Sequence, residues 1–227
     1  MAKLTGSVLG NLSGKLGNLS ARTRYGETIL AARPSSFNAS QAPQVVSVRQ
    51  KFKVSAALAK AVGAIDDLNT IWDKVRQPPS SAFNEVLKEN FPYSDTQSPT
   101  AQNIITPGGF DLGVTSSTVA PDSITVELPI LNTKANFSAD EVTLSVTAIL
   151  VGYDPTDASN PYYAIMSFNH TEANFDPTAV LEVVMNLDQF QQTKLALYQS
   201  KVLLVSAATK DSNSKIVHYS ATYGNQS

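Results

Sequence analysis

The spacing of apolar residues divides the chain into three stretches. Before Pro43 the apolar residues follow no regular period and are interrupted by recurring glycines. From Pro43 to Gln77 they recur with helical spacing, and after Ser123 they alternate with polar residues, which is typical of strands. The pattern predicts an α+β fold with three parts. These are an extended arm, a helical hairpin and a β-sandwich domain, over residues 1–42, 43–92 and 93–227.

The central stretch has the features of two consecutive helices. Pro43 suits the first turn of a helix, where its missing N–H leaves no hydrogen bond unmade. The apolar residues with helical spacing are Val45, Val48, Phe52, Ala59, Val62, Ile65, Leu68, Trp72 and Val75. Pro78-Pro79 ends this helix at Gln77, because proline cannot continue the backbone hydrogen bonds. A shorter helix over Ser81–Asn90 follows, so we predict a helical hairpin.

The C-terminal stretch contains six strand-like runs. They are Ser123–Leu131, Val142–Tyr153, Tyr162–Phe168, Ala179–Leu187, Lys201–Thr209 and Lys215–Tyr223. The turn-forming residues Asp211–Ser214 join the last two runs as a hairpin, and Asp188–Tyr198 predicts a short helix. Short strands separated by turns at this spacing favour an antiparallel, immunoglobulin-like β-sandwich.

The N-terminal arm carries a short repeat. The sequence Leu-Gly-Asn-Leu-Ser occurs at 9–13 and again at 16–20. A segment so rich in glycine and asparagine cannot bury enough apolar surface to build its own core, so it needs a neighbouring surface. Within the arm, Arg22–Ala32 holds two short β-capable pieces around Tyr25-Gly26, which fits a small hairpin or an added strand.

Charge is distributed unevenly along the chain. Residues 1–60 hold nine Lys and Arg and one acidic residue, whereas residues 61–227 hold eight and eighteen. A basic arm of this kind favours an acidic protein surface as its counterpart. The absence of Cys excludes disulfides and thiolate metal sites. Because the sequence has no run of 18 apolar residues, we expect no transmembrane helix and no membrane partner.

Motifs that would carry chemistry are weak. Gly10–Lys15 has one residue too few for a phosphate-binding loop, and Leu16 stands where such a loop needs Ser or Thr. His170 and His218 lack acidic neighbours at metal-binding spacing. No Gly-x-Ser-x-Gly elbow occurs. We expect solvated loop carboxylates rather than a calcium site at Asp154, Asp157, Asp176 and Asp188. We therefore expect no enzymatic activity, no catalytic residues, no cofactor and no metal.

Four segments in the first quarter of the chain resemble a family of Bacteroidetes bacteria and their phages. They are Ser13–Asn18, Arg24–Gly26, Arg33-Pro34 and Arg49–Phe52. In that family a basic glycine arm, an Arg-Pro step and a helix start of this type precede a variable β-rich half. Here Ala42-Pro43 replaces the Thr-Pro step that often precedes the helix. The family has no established activity, so the resemblance implies only a setting among phage or prophage-like structural genes.

Together these features predict a structural and assembly protein of a phage virion. It would be capsid-associated, part of a head-to-tail ring or a tail component, and assembled in the bacterial cytoplasm. Its expected partners are other copies of itself and other virion proteins. The residues expected to clamp a neighbouring subunit share a positive charge and are Lys15, Arg22, Arg24, Arg33, Arg49, Lys51 and Lys53.

Two alternative functions rest on other features. A carbohydrate- or surface-binding module built on the sandwich would use Tyr153, Tyr162 and Tyr163 together with loop Asp and Asn side chains. A nucleic-acid binder would use the basic arm, although the arm offers few aromatic residues for stacking and the following domain is acidic. An exposed tyrosine platform would favour the first alternative, and binding that weakens steeply with salt would favour the second.

Overall fold

The chain divides into two compact units. The computed structural model describes residues 2–4, 14–24, 27–33, 36 and 38–227. Residues 1–46 belong to the first unit and residues 47–227 to the second. The sequence-based domain limits at residues 42 and 92 stay predictions.

The first unit contains a four-stranded antiparallel sheet where the sequence predicts an extended arm. Across the sheet the order is β1-β4-β3-β2. The strands are β1 (Ala2–Leu4), β2 (Gly14–Leu16), β3 (Leu19–Arg24) and β4 (Glu27–Ala32). The second copy of the repeat makes the β2–β3 turn, where Gly17 has a φ of 57°, a conformation that glycine adopts readily. Leu9–Ser13 and Tyr25-Gly26 lie outside the described residues.

Residues 43–92 contain three helices, where the sequence predicts two. They are α1 (Pro43–Gly63), α2 (Asp66–Val75) and α3 (Ala82–Asn90). The chain is extended at Ile65, between α1 and α2. This interruption improves the electrostatics, because Lys60 falls in the last turn of α1 and Asp66 in the first turn of α2. Each charge thereby opposes the local helix dipole, which a continuous helix would not allow.

The second unit also contains two antiparallel sheets. The five-stranded sheet has the order β11-β10-β7-β8, with β12 paired to β10, and the three-stranded sheet has the order β5-β6-β9. The elements are β5 (Ser116–Val119), β6 (Ser123–Leu128), β7 (Glu141–Pro155), β8 (Tyr163–Ala173), β9 (Leu181–Asn186), α4 (Gln189–Leu195), β10 (Tyr198–Asp211), β11 (Ile216–Tyr219) and β12 (Tyr223–Gln226). The fold is therefore mixed α+β with antiparallel sheets, as the sequence predicts at this level.

Both faces of the five-stranded sheet are buried. One face contributes Val146 and Val205 to an apolar cluster shared with Val126 and Val183 of the three-stranded sheet. The other face contributes residues such as Val151 to a second cluster, which includes Leu58, Trp72 and Val86 of the helices. Strands β7 and β10 therefore lie between the helices and the three-stranded sheet. This explains why the central residues of both strands, 144–152 and 202–209, are buried on both faces.

Candidate functional site

The basic residues predicted to clamp a partner occupy different environments. Lys15, Arg22 and Arg33 are exposed in the first unit. The side chain of Arg24 lies outside the described part of the structure. Arg49, Lys51 and Lys53 lie on α1. Arg49 and Lys53 are exposed, so five of the seven predicted residues have side chains open to solvent in the described structure.

Lys51 makes contacts within the second unit. Its Nζ donates a hydrogen bond to the carbonyl of Pro92, at 2.9 Å. The same ammonium lies 5.3 Å from the ring centroid of Phe91, where the negative face of the ring attracts a cation. Lys51 thus connects α1 to the residues that follow α3, a role that sequence spacing does not indicate.

A groove lined by tyrosines lies at one end of the five-stranded sheet. It consists of two adjoining cavities that share Gln97 and Tyr162 as lining residues. The larger cavity has a volume of about 420 Å³ and is also lined by Tyr153, Asp154, Pro155 and Ala158. The smaller cavity has a volume of about 170 Å³ and is also lined by Gln50, Lys53, Val54, Thr96 and Tyr163.

The β7–β8 hairpin positions the three tyrosines. Tyr153 pairs with Tyr163 across the two strands, and both pack partly against the cluster beneath the helices. Burial raises the pKa of the Tyr163 phenol above its ordinary value. Tyr153 accepts a hydrogen bond at its hydroxyl from Nε2 of Gln226. Tyr162 belongs to the connecting loop and is 64 % exposed, so it supplies the one exposed ring of the three.

Local hydrogen bonds order the loop that carries Tyr162. The backbone N–H of Thr156 donates to the carbonyl of Leu197 at 2.9 Å. The Asp157 carboxylate accepts from the N–H of Ser159 at 2.8 Å, and this bond lowers the pKa of Asp157. Such a turn holds the backbone without help from a ligand. The exposed Tyr162 ring is therefore presented by a preformed loop.

Two opposite charges line the groove. Asp154 has a φ of 59°, a left-handed conformation that a non-glycine residue adopts at an energetic cost. Its exposed carboxylate contributes acceptors to the larger cavity, and the Lys53 ammonium contributes donors to the smaller one. Among the described residues, neither side chain has a hydrogen-bond or ion-pair partner. The groove therefore offers an acceptor, a cationic donor and an aromatic ring to a polar molecule.

The two histidines pair with carboxylates. His218 Nδ1 lies 3.0 Å from a carboxylate oxygen of the buried Glu141, and His170 Nε2 lies 3.4 Å from Glu172. Within the described ranges, no group of three or more His, Cys, Asp or Glu is arranged to hold a metal ion. None of the described helices is both long and apolar enough to cross a membrane.

Three of the four loop carboxylates considered as calcium ligands stabilise separate turns. Asp176 accepts from the N–H and the hydroxyl of Thr178, and these bonds lower its pKa. Asp188 is the N-cap of α4 and forms a capping box with Gln191. Asp157 orders the loop before Tyr162, as described above. Each of these carboxylates has a local structural role.

Comparisons with known proteins place the chain in no family. No family model matches it, and no curated protein is similar to it. Among solved structures, β-glucosidase 3B from Thermotoga neapolitana in complex with glucose is 12 % identical over 63 % of this chain and 19 % of its own, with a TM-score of 0.25. The β-glucosidase from Kluyveromyces marxianus is 13 % identical over 63 % of this chain and 17 % of its own, with a TM-score of 0.22. The chain spans less than a fifth of the length of these enzymes.

The sequence does not indicate that several of the groove residues lie together. Thr96 and Gln97 come from the turn-rich segment after α3, and Lys53 comes from a helix that belongs to a different part of the chain. Only the tertiary packing brings them to Tyr162. By contrast, the tyrosines themselves could be singled out, because aromatic residues beside a strand turn are often exposed for binding.

Proposed function

We propose that this chain is a structural and assembly protein of a phage virion, and that its first unit binds a neighbouring copy. The observation that carries the proposal is that few side chains of the N-terminal sheet are buried. Among its described side chains, only Ala21 and Thr28 are buried. A single sheet normally needs a second layer to cover one face, and a neighbouring subunit can supply it. This unit therefore suits a role that depends on assembly.

Charge complementarity supports contact between copies. The exposed Lys15, Arg22 and Arg33 make the first unit basic, whereas most acidic residues belong to the second unit. Opposite surface potentials accelerate association and fix the orientation of partners. A head-to-tail arrangement, in which the first unit of one copy binds the second unit of the next, satisfies this pattern.

Helix α1 offers an apolar surface as well. Val48 and Phe52 lie one turn apart, and they are 56 % and 52 % exposed. Exposed apolar pairs on a helix are typical of surfaces that a partner covers. The position of this pair close to the start of the second unit places an apolar contact next to the basic residues of α1, such as Arg49.

We infer that the second unit contains an immunoglobulin-like β-sandwich that follows a helical hairpin. The packing of the three-stranded sheet on the five-stranded sheet supports an immunoglobulin-like β-sandwich. The short connection through Pro78-Pro79 between α2 and α3 supports a helical hairpin, with α1 added before it. Sandwiches of this kind are frequent in virion proteins, but they also serve many other functions. The virion setting rests on the resemblance of the first quarter of the chain to the phage-associated family.

The test of this proposal is assembly that depends on charge. We expect the full chain to form oligomers in multi-angle light scattering at low salt and to dissociate as salt is raised. Replacing Lys15, Arg22 and Arg33 by Glu should leave a folded monomer. The control carries the same charge change elsewhere, with Glu at the exposed residues Lys60, Lys88 and Lys215.

The virion setting has its own measurement. Particles purified from phage that encode this chain should contain it at a fixed, high copy number by quantitative mass spectrometry. A chain that is monomeric at every salt concentration and missing from purified particles would refute the proposal. If the control variant loses its oligomers as readily as the variant with Glu at Lys15, Arg22 and Arg33, the proposed role of the first unit is refuted.

A further inference from the structure

The tyrosine-lined groove has the composition of a ligand site. All of its lining residues belong to the second unit, so the groove does not depend on the assembly proposed above. A volume of about 420 Å³ for the larger cavity is within the range of small-molecule sites. We propose that this groove binds an acidic oligosaccharide, with one pyranose ring stacked on Tyr162 and an anionic substituent on Lys53.

The exposed Tyr162 ring fits the apolar face of a sugar. A ring that is 64 % exposed on a loop makes little contribution to the core, so folding does not account for its position. The face of an aromatic ring carries partial negative charge and attracts the polarised C–H bonds on one face of a pyranose. Because Tyr162 lines both cavities, a sugar stacked on it would reach into each of them.

The polar lining fits sugar hydroxyls. A hydroxyl both donates and accepts, and it therefore pairs best with a mixture of carboxylate and amide groups. Asp154 supplies acceptors, while the Gln97 amide supplies both kinds of group. Asp154 is held in a left-handed conformation, and backbone cost of this kind is concentrated at functional positions. Asp154 thus adds to the lining of the larger cavity a carboxylate that has no partner among the described residues.

Lys53 determines the charge of the ligand. Its ammonium is the one cationic group among the described residues that line the groove. A carboxylate or sulfate on a sugar would form a charge-assisted hydrogen bond with it, which is stronger than a bond between neutral groups. A neutral oligosaccharide would leave this ammonium without an ionic partner. The lining of the smaller cavity therefore favours an acidic substituent on the sugar over its neutral analogue.

The ordered loop makes the site preformed. Asp157 and the Thr156 contact to Leu197 hold the β7–β8 connection without a ligand, as described above. A preformed site loses less conformational entropy on binding than a mobile one. Binding should therefore change the environment of Tyr162 without altering the secondary structure.

Titration calorimetry and NMR on the full chain test the proposal with defined probes. The acidic probes are trigalacturonate, a hyaluronan tetrasaccharide and sialyllactose, and the neutral probes are fully methyl-esterified trigalacturonate and lactose. We expect at least one acidic probe to bind at millimolar concentration or below and its neutral counterpart to bind more weakly. The absence of binding by every acidic probe would overturn the proposal.

Paired variants assign the binding to this groove. Tyr162→Ala should weaken binding about tenfold, whereas Tyr162→Phe should retain it because the stacking face remains. Lys53→Gln should weaken the acidic probe about tenfold and leave the neutral probe unchanged. Tyr93→Ala and Lys60→Gln are matched controls, because both residues are exposed and neither lines the groove. Equal losses in the control variants, or no loss in Tyr162→Ala, would overturn the assignment.

Discussion

The carboxylate of Glu141 is fully buried and lies 3.0 Å from Nδ1 of His218. Glu141 begins β7, and His218 lies on β11, so the pair connects strands on either side of β10. Thr209 on β10 donates its hydroxyl to the same carboxylate, and the N–H of Ser138 donates at 2.7 Å. Burial alone would raise the pKa of Glu141, but these hydrogen bonds hold it below the ordinary value.

The first prediction concerns the stability of this network and its dependence on pH. Because the folded-state pKa of Glu141 is lowered, its contribution to stability is complete above the ordinary glutamate pKa of about 4.3. It is lost as the pH falls through the lower folded-state value. Glu141→Gln should lower the free energy of unfolding by about 1–3 kcal/mol at pH 7, and the difference from wild type should shrink in acid.

Urea unfolding followed by circular dichroism at a series of pH values measures this effect. Glu141→Gln in a His218→Gln background shows how much of the stability contributed by the carboxylate depends on its histidine partner. A difference between wild type and Glu141→Gln that stays constant down to about pH 2 would contradict the lowered pKa.

Two adjacent glycines provide the second prediction. Gly108 and Gly109 have φ values of 123° and 114°, so a side chain at either position strains the backbone. A Cβ at Gly109 would lie 2.1 Å from the carbonyl oxygen of Tyr219, whereas one at Gly108 would have no atom of the described residues within 4 Å. Gly109→Ala should therefore cost about 3 kcal/mol or more, and Gly108→Ala about 1–2 kcal/mol.

The loss of stability expected for Gly109→Ala has a structural origin that hydrogen exchange can test. The N–H of Phe110 donates to the same Tyr219 carbonyl at 3.1 Å, and a methyl group at 109 would push the two segments apart. Amide hydrogen exchange at Phe110 should accelerate in Gly109→Ala and stay close to wild type in Gly108→Ala. Equal unfolding free energies for the two variants would show that backbone strain alone decides the cost.

How far the sequence predicts this fold depends on the element. The alternating runs predict β6, β9 and most of β8 because one face of each strand is buried and the other is not. The buried face of the helices is predicted by the spacing that places Leu68 and Trp72 on one side. These patterns are local, so a single sequence is enough to identify them.

Other features depend on contacts that the local pattern does not contain. The helical spacing of apolar residues continues across the break at Ile65, so it does not reveal the break, although the order of charge from Lys60 to Asp66 suits two separate helices. The short strands of the N-terminal sheet pair through backbone hydrogen bonds and, among their described residues, do not form an apolar core. Their apolar residues therefore show no regular period, and the sequence predicts an extended arm. Gln97 and Tyr162 meet only through tertiary packing.

The third prediction concerns the contact between α2 and the five-stranded sheet. A carboxylate oxygen of Asp67 accepts from Oγ of Ser145 and from Nζ of Lys210, both at 2.7 Å. Asp67 and Lys210 are both largely buried, so removal of the carboxylate leaves a shielded ammonium without its ion-pair partner. Asp67→Ala should lower the free energy of unfolding by about 1–3 kcal/mol.

A double-mutant cycle isolates this pair. Lys210→Met removes the charge and keeps much of the aliphatic stem, so the double variant should be more stable than the sum of the single losses predicts. Arg76→Met with Asp73→Ala is a matched control, because that pair lies on an exposed helix surface and should show little coupling. A coupling energy for Asp67 and Lys210 no larger than the control would contradict the buried ion pair.

The fourth prediction is that the second unit folds without the first. The described members of both apolar clusters belong to residues 47–227, so deletion of residues 1–35 removes none of these side chains. The chain has one tryptophan, Trp72, whose Nε1 donates to the carbonyl of Ile105 at 2.9 Å in a buried position. Its fluorescence therefore reports the packing of the helices on the sheet.

The deleted chain should keep the wild-type emission maximum of Trp72 and the wild-type midpoint of thermal unfolding, while it loses the salt-sensitive oligomers. The reason is that an independent compact unit retains its own core when a neighbouring unit is removed. Trp72→Phe in the full chain supplies the fluorescence blank. A lower midpoint or a red-shifted Trp72 emission in the deleted chain would instead place the N-terminal residues within the core of the second unit.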